Sequence, residues 1–374
     1  MSDDLIRNPF RLGFGLMRLP KLPDGSIDVP QVCDMADAFL AAGGTDFDTA
    51  YVYDSGDSEK AFKAAVVDRY PREAYTLATK LHAAAARVHD EQSAKDEFQI
   101  SLDRTGVGYF DYYLLHAIQR STVDKYETYH LWDYVREQKA KGLIRHWGFS
   151  FHADPDLLEE LLTRYPDVEF VQLQINYADW DNPGVASRRN WEICKAHGKP
   201  VVIMEPVKGG ILADPIPEVK AIFEREGSGR SCASWALRFA ASLDNLLVVL
   251  SGMSSREQMA DNLQAVRQLP LTEAEYDLIH QAQAALNADK SIGCTACRYC
   301  TAGCPMNIPI PDIFNVINRR KGSPEFRTVR EYNIVTLNKG VASDCVGCGQ
   351  CESVCPQHLP IIDLLKQCVS LEAQ

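Results

Sequence analysis

A closed (β/α)8 barrel of the α/β class, followed by a small, mainly helical C-terminal domain, is the architecture that this 374-residue sequence predicts. Three observations predict it. Eight short apolar runs alternate with amphipathic stretches over about 250 residues, the length and rhythm of a parallel barrel covered by helices. The chain is 46% hydrophobic, enough for a core of that size. Beyond Lys290 the texture changes to cysteine, proline and short helical segments. The reading divides the chain into a barrel over residues 1–270, a linker helix over 271–290 and a cysteine-rich domain over 291–374.

Strands are expected at residues 13–16, 45–48, 75–80, 112–116, 147–150, 170–174, 201–205 and 247–251. Each is a short apolar run with turn residues nearby. Helices are expected at 32–42, 59–67, 91–105, 126–141, 155–164, 186–197, 232–241 and 256–266, where apolar residues recur at helical spacing. Thr272 and Glu275 stand in capping-box spacing and open the linker helix. A doubly wound sheet is the competing architecture. Its dinucleotide fingerprint is not met, because Arg18 stands where the third glycine after Gly13 and Gly15 should be.

The net charge of -12 argues against general affinity for nucleic acid or an anionic membrane, which reward clusters of Lys and Arg, and it permits a basic electron-transfer partner. No apolar run approaches the roughly 20 residues that span a bilayer, and the acidic N-terminal stretch lacks the apolar core of a secretory signal. A cytoplasmic protein is expected. Eight of the 12 cysteines fall in two short arrays, which favours metal binding in a reducing compartment over disulfides. Cys33, Cys194, Cys232 and Cys368 lie in helical patterns and are expected to be buried thiols.

Cys294, Cys297, Cys300 and Cys304 before Pro305 follow C-x2-C-x2-C-x3-C-P, and Cys345, Cys348, Cys351 and Cys355 before Pro356 repeat it at an offset of 51. In two-cluster ferredoxins the three closely spaced thiolates hold one cluster and the fourth reaches its neighbour. The expected sets are therefore Cys294, Cys297, Cys300 with Cys355, and Cys345, Cys348, Cys351 with Cys304, holding two [4Fe-4S] clusters. Paired zinc sites are the alternative, but they leave the third cysteine of each run and its proline unexplained. The residues between the arrays, with a helix expected at 311–320, suggest a helical annex longer than a compact ferredoxin.

At the barrel, Asp48, Tyr53, Lys80 and His116 stand at or just beyond strand ends, so parallel packing would gather an acid, a phenol, an amine and an imidazole at one mouth. Singly, each has a structural reading: a helix cap, a loop aromatic, a solvated strand end and a core imidazole. Together, in order and spacing, they resemble the aldo-keto reductases over residues 8–268, and the whole chain is similar to the branch carrying a C-terminal ferredoxin-type domain. The resemblance implies that Tyr53 donates a proton, that Lys80 held by Asp48 eases its release, and that His116 orients a carbonyl. It also implies a nicotinamide site formed by Gly15, Met17, Ser150, Gln172, Met204, Gly252, Ser254, Gln258 and Asn262. Phe151 replaces a usual asparagine, Met204 an aromatic, and Gln258 an arginine that grips a 2'-phosphate. NADP(H) is the expected cofactor, with NAD(H) or no nicotinamide at all as the alternatives.

The function expected is oxidoreduction of a small carbonyl or alcohol, with the clusters linking it to an external electron carrier or to another bound redox group. A nucleotide-binding redox sensor, or clusters that are only structural, are the competing readings. A nicotinamide gives two electrons as hydride, whereas a cluster passes them singly. Arg18, Glu205 and Lys208 depart from the common reductase pattern: Arg18 and Glu205 are either a structural pair or, with Lys208, shapers of the pocket for a polar substrate or a different cofactor. Tyr129, Trp132 and Trp180 are candidates for an apolar substrate wall or for packing.

Overall fold

The computed structural model describes Leu5 and residues 10–85, 87–288, 291–319 and 325–371; Lys290 and Arg320 lie outside them. Eight strands form: β1 (Leu12–Gly15), β2 (Asp46–Asp48), β3 (Thr76–Leu81), β4 (Phe110–Ile118), β5 (Ile144–Phe151), β6 (Phe170–Gln174), β7 (Val201–Met204) and β8 (Leu246–Gly252). They pair in parallel in chain order, and β8 returns to β1 to close the expected barrel.

Strand alternation sends every second side chain inward. Ala78, Leu114, Phe170, Val202, Val248 and Leu250 fill the interior of the barrel around Leu5, whose carbonyl accepts from Tyr112 Oη at 2.9 Å. The same parity, continued along the strands, carries Lys80, His116, Ser150, Gln172 and Met204. Gly148 leaves necessary room on β5, since a Cβ there would stand 2.3 Å from the Phe170 carbonyl oxygen. Outside β1 and β2, the rings of Phe14, Phe39, Phe47, Phe62 and Tyr75 pack in sequence at centroid distances of 5.3–6.0 Å.

Several helices differ from expectation. The stretch 126–141 is two helices, Val123–Thr128 and Leu131–Ala140, separated where His130 turns left-handed (φ 51). Tyr126, fully buried, donates to the His116 carbonyl and ties the first of them to β4. The stretch 59–67 is a short helix, Asp57–Phe62, that widens into a π-turn over Lys63–Val67. Pro217–Glu224 was not anticipated; Pro217 occupies its first turn, where a missing N–H costs nothing. Glu325–Val335 is likewise additional, and Cys33 and Cys232 are only half-buried.

The chain divides into two compact units, residues 1–207 with 212–284, and residues 208–211 with 285–374. Within the second, the sequence repeat becomes a structural one. Helices Tyr299–Ala302 and Gln350–Ser353 correspond, as do Ile310–Arg319 and Ile361–Cys368. The left-handed residues Ala296, Arg298 and Asn307 recur as Gly347, Gly349 and His358. Ile308, Ile313, Phe314, Ile361 and Leu365 share its core. Among the described residues no helix is long and apolar enough to cross a membrane.

The helix Glu273–Ala288 opens with a reciprocal cap: the Thr272 N–H donates to Glu275 Oε2 at 2.8 Å and the Glu275 N–H to Thr272 Oγ1 at 3.3 Å. Glu275 also meets Arg238 at 2.7 Å and Arg230 at 3.2 Å. Burial by itself raises this carboxyl, but the bonds from Arg238 and Thr272 outweigh it and hold it at about 2. The folded carboxyl thus titrates below its ordinary value, so its contribution is full above about pH 4.5 and is lost as the pH falls toward 2. Glu275→Gln is expected to cost about 2 kcal/mol at pH 7 and progressively less toward pH 2, read by urea denaturation at the two pH values.

Candidate active site

The ammonium of Lys80, 1% exposed, donates to Asp48 Oδ1 at 2.5 Å and to the Thr49 carbonyl at 2.7 Å. Asp48 pairs in register with Ala78, so Lys80 lies two residues further along β3 on the same inward face. Burial raises the Asp48 carboxyl and lowers the Lys80 ammonium, and in each case the partner's opposite charge resists the shift. Gln172 adds a side-chain hydrogen bond to Asp48.

Tyr53 arrives from the turn after β2. Its ring centroid is 5.0 Å from Lys80 Nζ and 5.7 Å from that of His116, the two rings edge to face. The turn Tyr53–Gly56 is strained, with Asp54 and Ser55 left-handed at φ 48 and 57. Such conformations persist only where the surroundings fix them. Here Lys21 meets Asp54 at 2.7 Å, while Arg104 donates to the Tyr51 carbonyl at 3.0 Å and to Glu59 at 3.1 Å.

His116 is buried, and burial first, then the nearby His82, Lys80 and His152, hold its pKa well below the ordinary value, so the ring is neutral. His82 packs edge-on against it at 5.2 Å. The Ala84 N–H donates to His82 Nδ1 at 3.1 Å, which places that ring's own proton on Nε2. After His116 the backbone turns left-handed at Ala117 (φ 53), whose N–H donates to Ser150 Oγ at 2.7 Å.

The remaining sequence candidates lie at strand ends or in the turns after them, except Gln258 and Asn262, which lie on the helix Arg256–Ala265. Ser150 and Gln172 are register partners on β5 and β6, Met204 ends β7 opposite Gln174, and Gly15 pairs with Gly252. Met17 lies on the turn Leu16–Arg18. Gln172 Oε1 and His116 Nδ1 are buried without a hydrogen-bond partner among the described residues. Gln258 Oε1 accepts from the Ser254 N–H at 2.7 Å, Ser254 Oγ donates to the Arg18 carbonyl at 2.6 Å, and Asn262 donates to Ser251 Oγ at 2.8 Å. Arg18 meets Glu205 at 3.8 Å. Trp132, buried, stacks on Tyr165 at 4.1 Å as a packing residue, while Trp180 packs on Trp191 and Phe239 and is half-buried.

Sequence reasoning missed the support beneath Glu205. That residue is left-handed (φ 56), and its carbonyl accepts from Asn176 Nδ2 at 3.1 Å. Asn176 is fixed by Asp179 at 2.9 Å, which also receives Gln174 at 3.0 Å. The alternating polar residues of Gln172-Leu173-Gln174-Ile175-Asn176 were the available signal, since polar side chains in a buried strand need partners.

In the C-terminal unit, Cys294, Cys297, Cys300 and Cys355 line one cavity, and Cys304, Cys345, Cys348 and Cys351 line another. Each array thus sends its last cysteine to the other's cavity. Burial pushes the Cys300 thiol to about 12 and Cys351 to about 11, so without a bound cation both are protonated at neutral pH.

The profile of the Aldo/keto reductase family matches residues 11–284, and that of the 4Fe-4S dicluster domain matches residues 293–359. The NADH-specific methylglyoxal reductase of Escherichia coli is 25% identical over 324 residues, covering 74% of this chain and 95% of that protein. An aldo-keto reductase of Mycolicibacterium paratuberculosis is 29% identical over 228 residues, 60% of this chain and 72% of its own. The holo structure of an aldo-keto reductase from Bacillus halodurans superposes with a TM-score of 0.58 at 26% identity, covering 73% of this chain and 91% of that one.

Lys80→Met would leave the Asp48 carboxylate buried without its counter-charge. It is expected to destabilise the barrel by about 3–5 kcal/mol in chemical denaturation, while Asp48→Leu combined with Lys80→Met recovers most of that loss.

Proposed function

The chain belongs to the aldo/keto reductase family, and from that premise we propose that it interconverts a small carbonyl compound and its alcohol by nicotinamide-dependent hydride transfer at the mouth formed by Asp48, Tyr53, Lys80 and His116. The observation that carries the reading is the convergence of these groups: Tyr53 within 5.0 Å of a buried ammonium and edge-on to a buried imidazole.

A bound nicotinamide supplies the hydride; the chain's residues hold the substrate and move the proton. The Tyr53 hydroxyl is the proton donor to the carbonyl oxygen, and the phenolate left behind is stabilised by the Lys80 charge. Asp48 and the Thr49 carbonyl keep that charge in place. His116, neutral, offers a hydrogen bond to the oxygen without competing as an acid. Gln172 Oε1, buried and without a partner among the described residues, fits a carboxamide N–H, and Ser150 still has its hydroxyl proton to donate. These residues therefore suit a nicotinamide head group.

NADP(H) is the first expectation for the far end of the cofactor. NAD(H) is a second reading with specific support: the Gln258 side chain is turned back onto the Ser254 N–H and brings no cation for a 2'-phosphate, and the Escherichia coli relative is NADH-specific. The two four-cysteine cavities suit two [4Fe-4S] clusters, held by Cys294, Cys297, Cys300, Cys355 and by Cys304, Cys345, Cys348, Cys351. They connect the protein to a one-electron carrier, and cysteines kept reduced for such sites suit the cytoplasm.

Anaerobic purification, an iron and sulfide assay, and NADH or NADPH oxidation across a panel of aldehydes and ketones test this reading. A protein with both cofactor types but no turnover would refute it. Tyr53→Phe is expected to lower kcat by about 10²–10⁴-fold with nucleotide affinity unchanged in a fluorescence titration. Because the His116 pKa is depressed, the ring stays neutral at and above pH 6.5, and kcat/KM should show no imidazole inflection between pH 6 and 8.

A further inference from the structure

The segment Lys208-Gly209-Gly210, which follows β7 in the chain, is unused by the barrel chemistry, yet Lys208–Ile211 packs as part of the C-terminal unit. Lys208 is left-handed (φ 48), and its Nζ donates to Gln357 Oε1 at 3.2 Å. Gly209 (φ 64) lies so close to Thr295 that a Cβ would stand 2.5 Å from the Thr295 carbonyl oxygen. Thr295 and Gln357 both line the cavity of Cys294, Cys297, Cys300 and Cys355. The segment is thus fitted to the wall of one iron-sulfur site.

The internal repeat supplies the comparison. At the offset of 51, Thr295 and Gln357 correspond to Val346 and Met306, which line the other cavity and are 64% and 38% exposed. Arg298, lining the first cavity and paired with Asp312 at 2.5 Å, corresponds to Gly349. Arg298 therefore lines the first cavity and Lys208 is seated on its wall through Gln357, whereas the counterparts of Arg298 and Gln357 in the second are the uncharged Gly349 and Met306. Lys366 is the cation within electrostatic reach of that second cavity's Cys345.

We propose that Lys208 is a positioning residue of the first cluster site: seated on Gln357, its charge selectively raises the reduction potential of the centre held by Cys294, Cys297, Cys300 and Cys355. This rests on the reading that both cavities hold [4Fe-4S] clusters. Added positive charge stabilises the reduced, more negative state, and nearby charge is one of the controls on cluster potential. The effect weakens with distance, so it falls more on the first centre, whose wall Lys208 touches through Gln357, than on the second. The two centres are thereby made unequal by a residue outside both cysteine arrays.

The test is a dye-mediated redox titration of the anaerobic full-length protein, followed by electron paramagnetic resonance, on the wild type, Lys208→Met, Lys208→Gln, Lys208→Arg and Met306→Lys. Either neutral variant should lower one midpoint by about tenfold in its reduction equilibrium, ~59 mV for a one-electron couple, and leave the other in place. Lys208→Arg should keep the wild-type values, and Met306→Lys should raise the midpoint that Lys208→Met does not move. Unmoved midpoints in loaded neutral variants, or equal shifts in both, overturn the proposal alone. Wild-type protein purified without iron and sulfide overturns it together with the cluster reading.

Discussion

An ammonium taken out of water beside a carboxylate is the constraint on which the barrel mouth depends. Lys80 and Asp48 lie on adjacent strands, so closing β2 against β3 is what brings them to 2.5 Å. Neither charge is tolerable there alone, because desolvating an ion is costly and only its partner and hydrogen bonds offset that cost. The Thr49 carbonyl and Gln172 complete the set. The same contact that makes burial bearable also fixes a cation beneath the Tyr53 ring. The stability of the mouth and the positive charge it presents to Tyr53 therefore rest on one contact.

That arrangement is supported from behind by strain. Asp54, Ser55, Ala117 and Glu205 all sit in left-handed backbone, and each lies next to or within a candidate functional segment. Arg104 and Lys21 brace the first two, Ser150 the third, and the Asn176–Asp179–Gln174 network the fourth. Rigidity at the mouth comes from polar side chains satisfied underneath it, whereas the lower barrel is filled by apolar ones.

The strands were legible because their apolar runs are read locally and their order follows the chain. Asp48, Lys80 and His116 were legible for the same reason: a strand end can be counted from sequence. Less could be read where tertiary contacts decide. The helix break at His130 comes just after Tyr126, which is tied to the His116 carbonyl, and nothing in the residues around 126–141 announces either. The packing role of Trp132 needed its stack on Tyr165 to be seen. The cysteine spacing told which sulfurs group together, but the attachment of Lys208 to the wall of one group could not be counted from spacing, since 149 residues separate it from Gln357.

The exchange of terminal cysteines between the two arrays has a consequence for biosynthesis. Cys304 lines the cavity of the later array and Cys355 that of the earlier one, so neither cavity has its full complement of sulfur until both segments have left the ribosome. Any group that needs all four sulfurs of a cavity is therefore accommodated only after both arrays are made, and the two cavities are completed together.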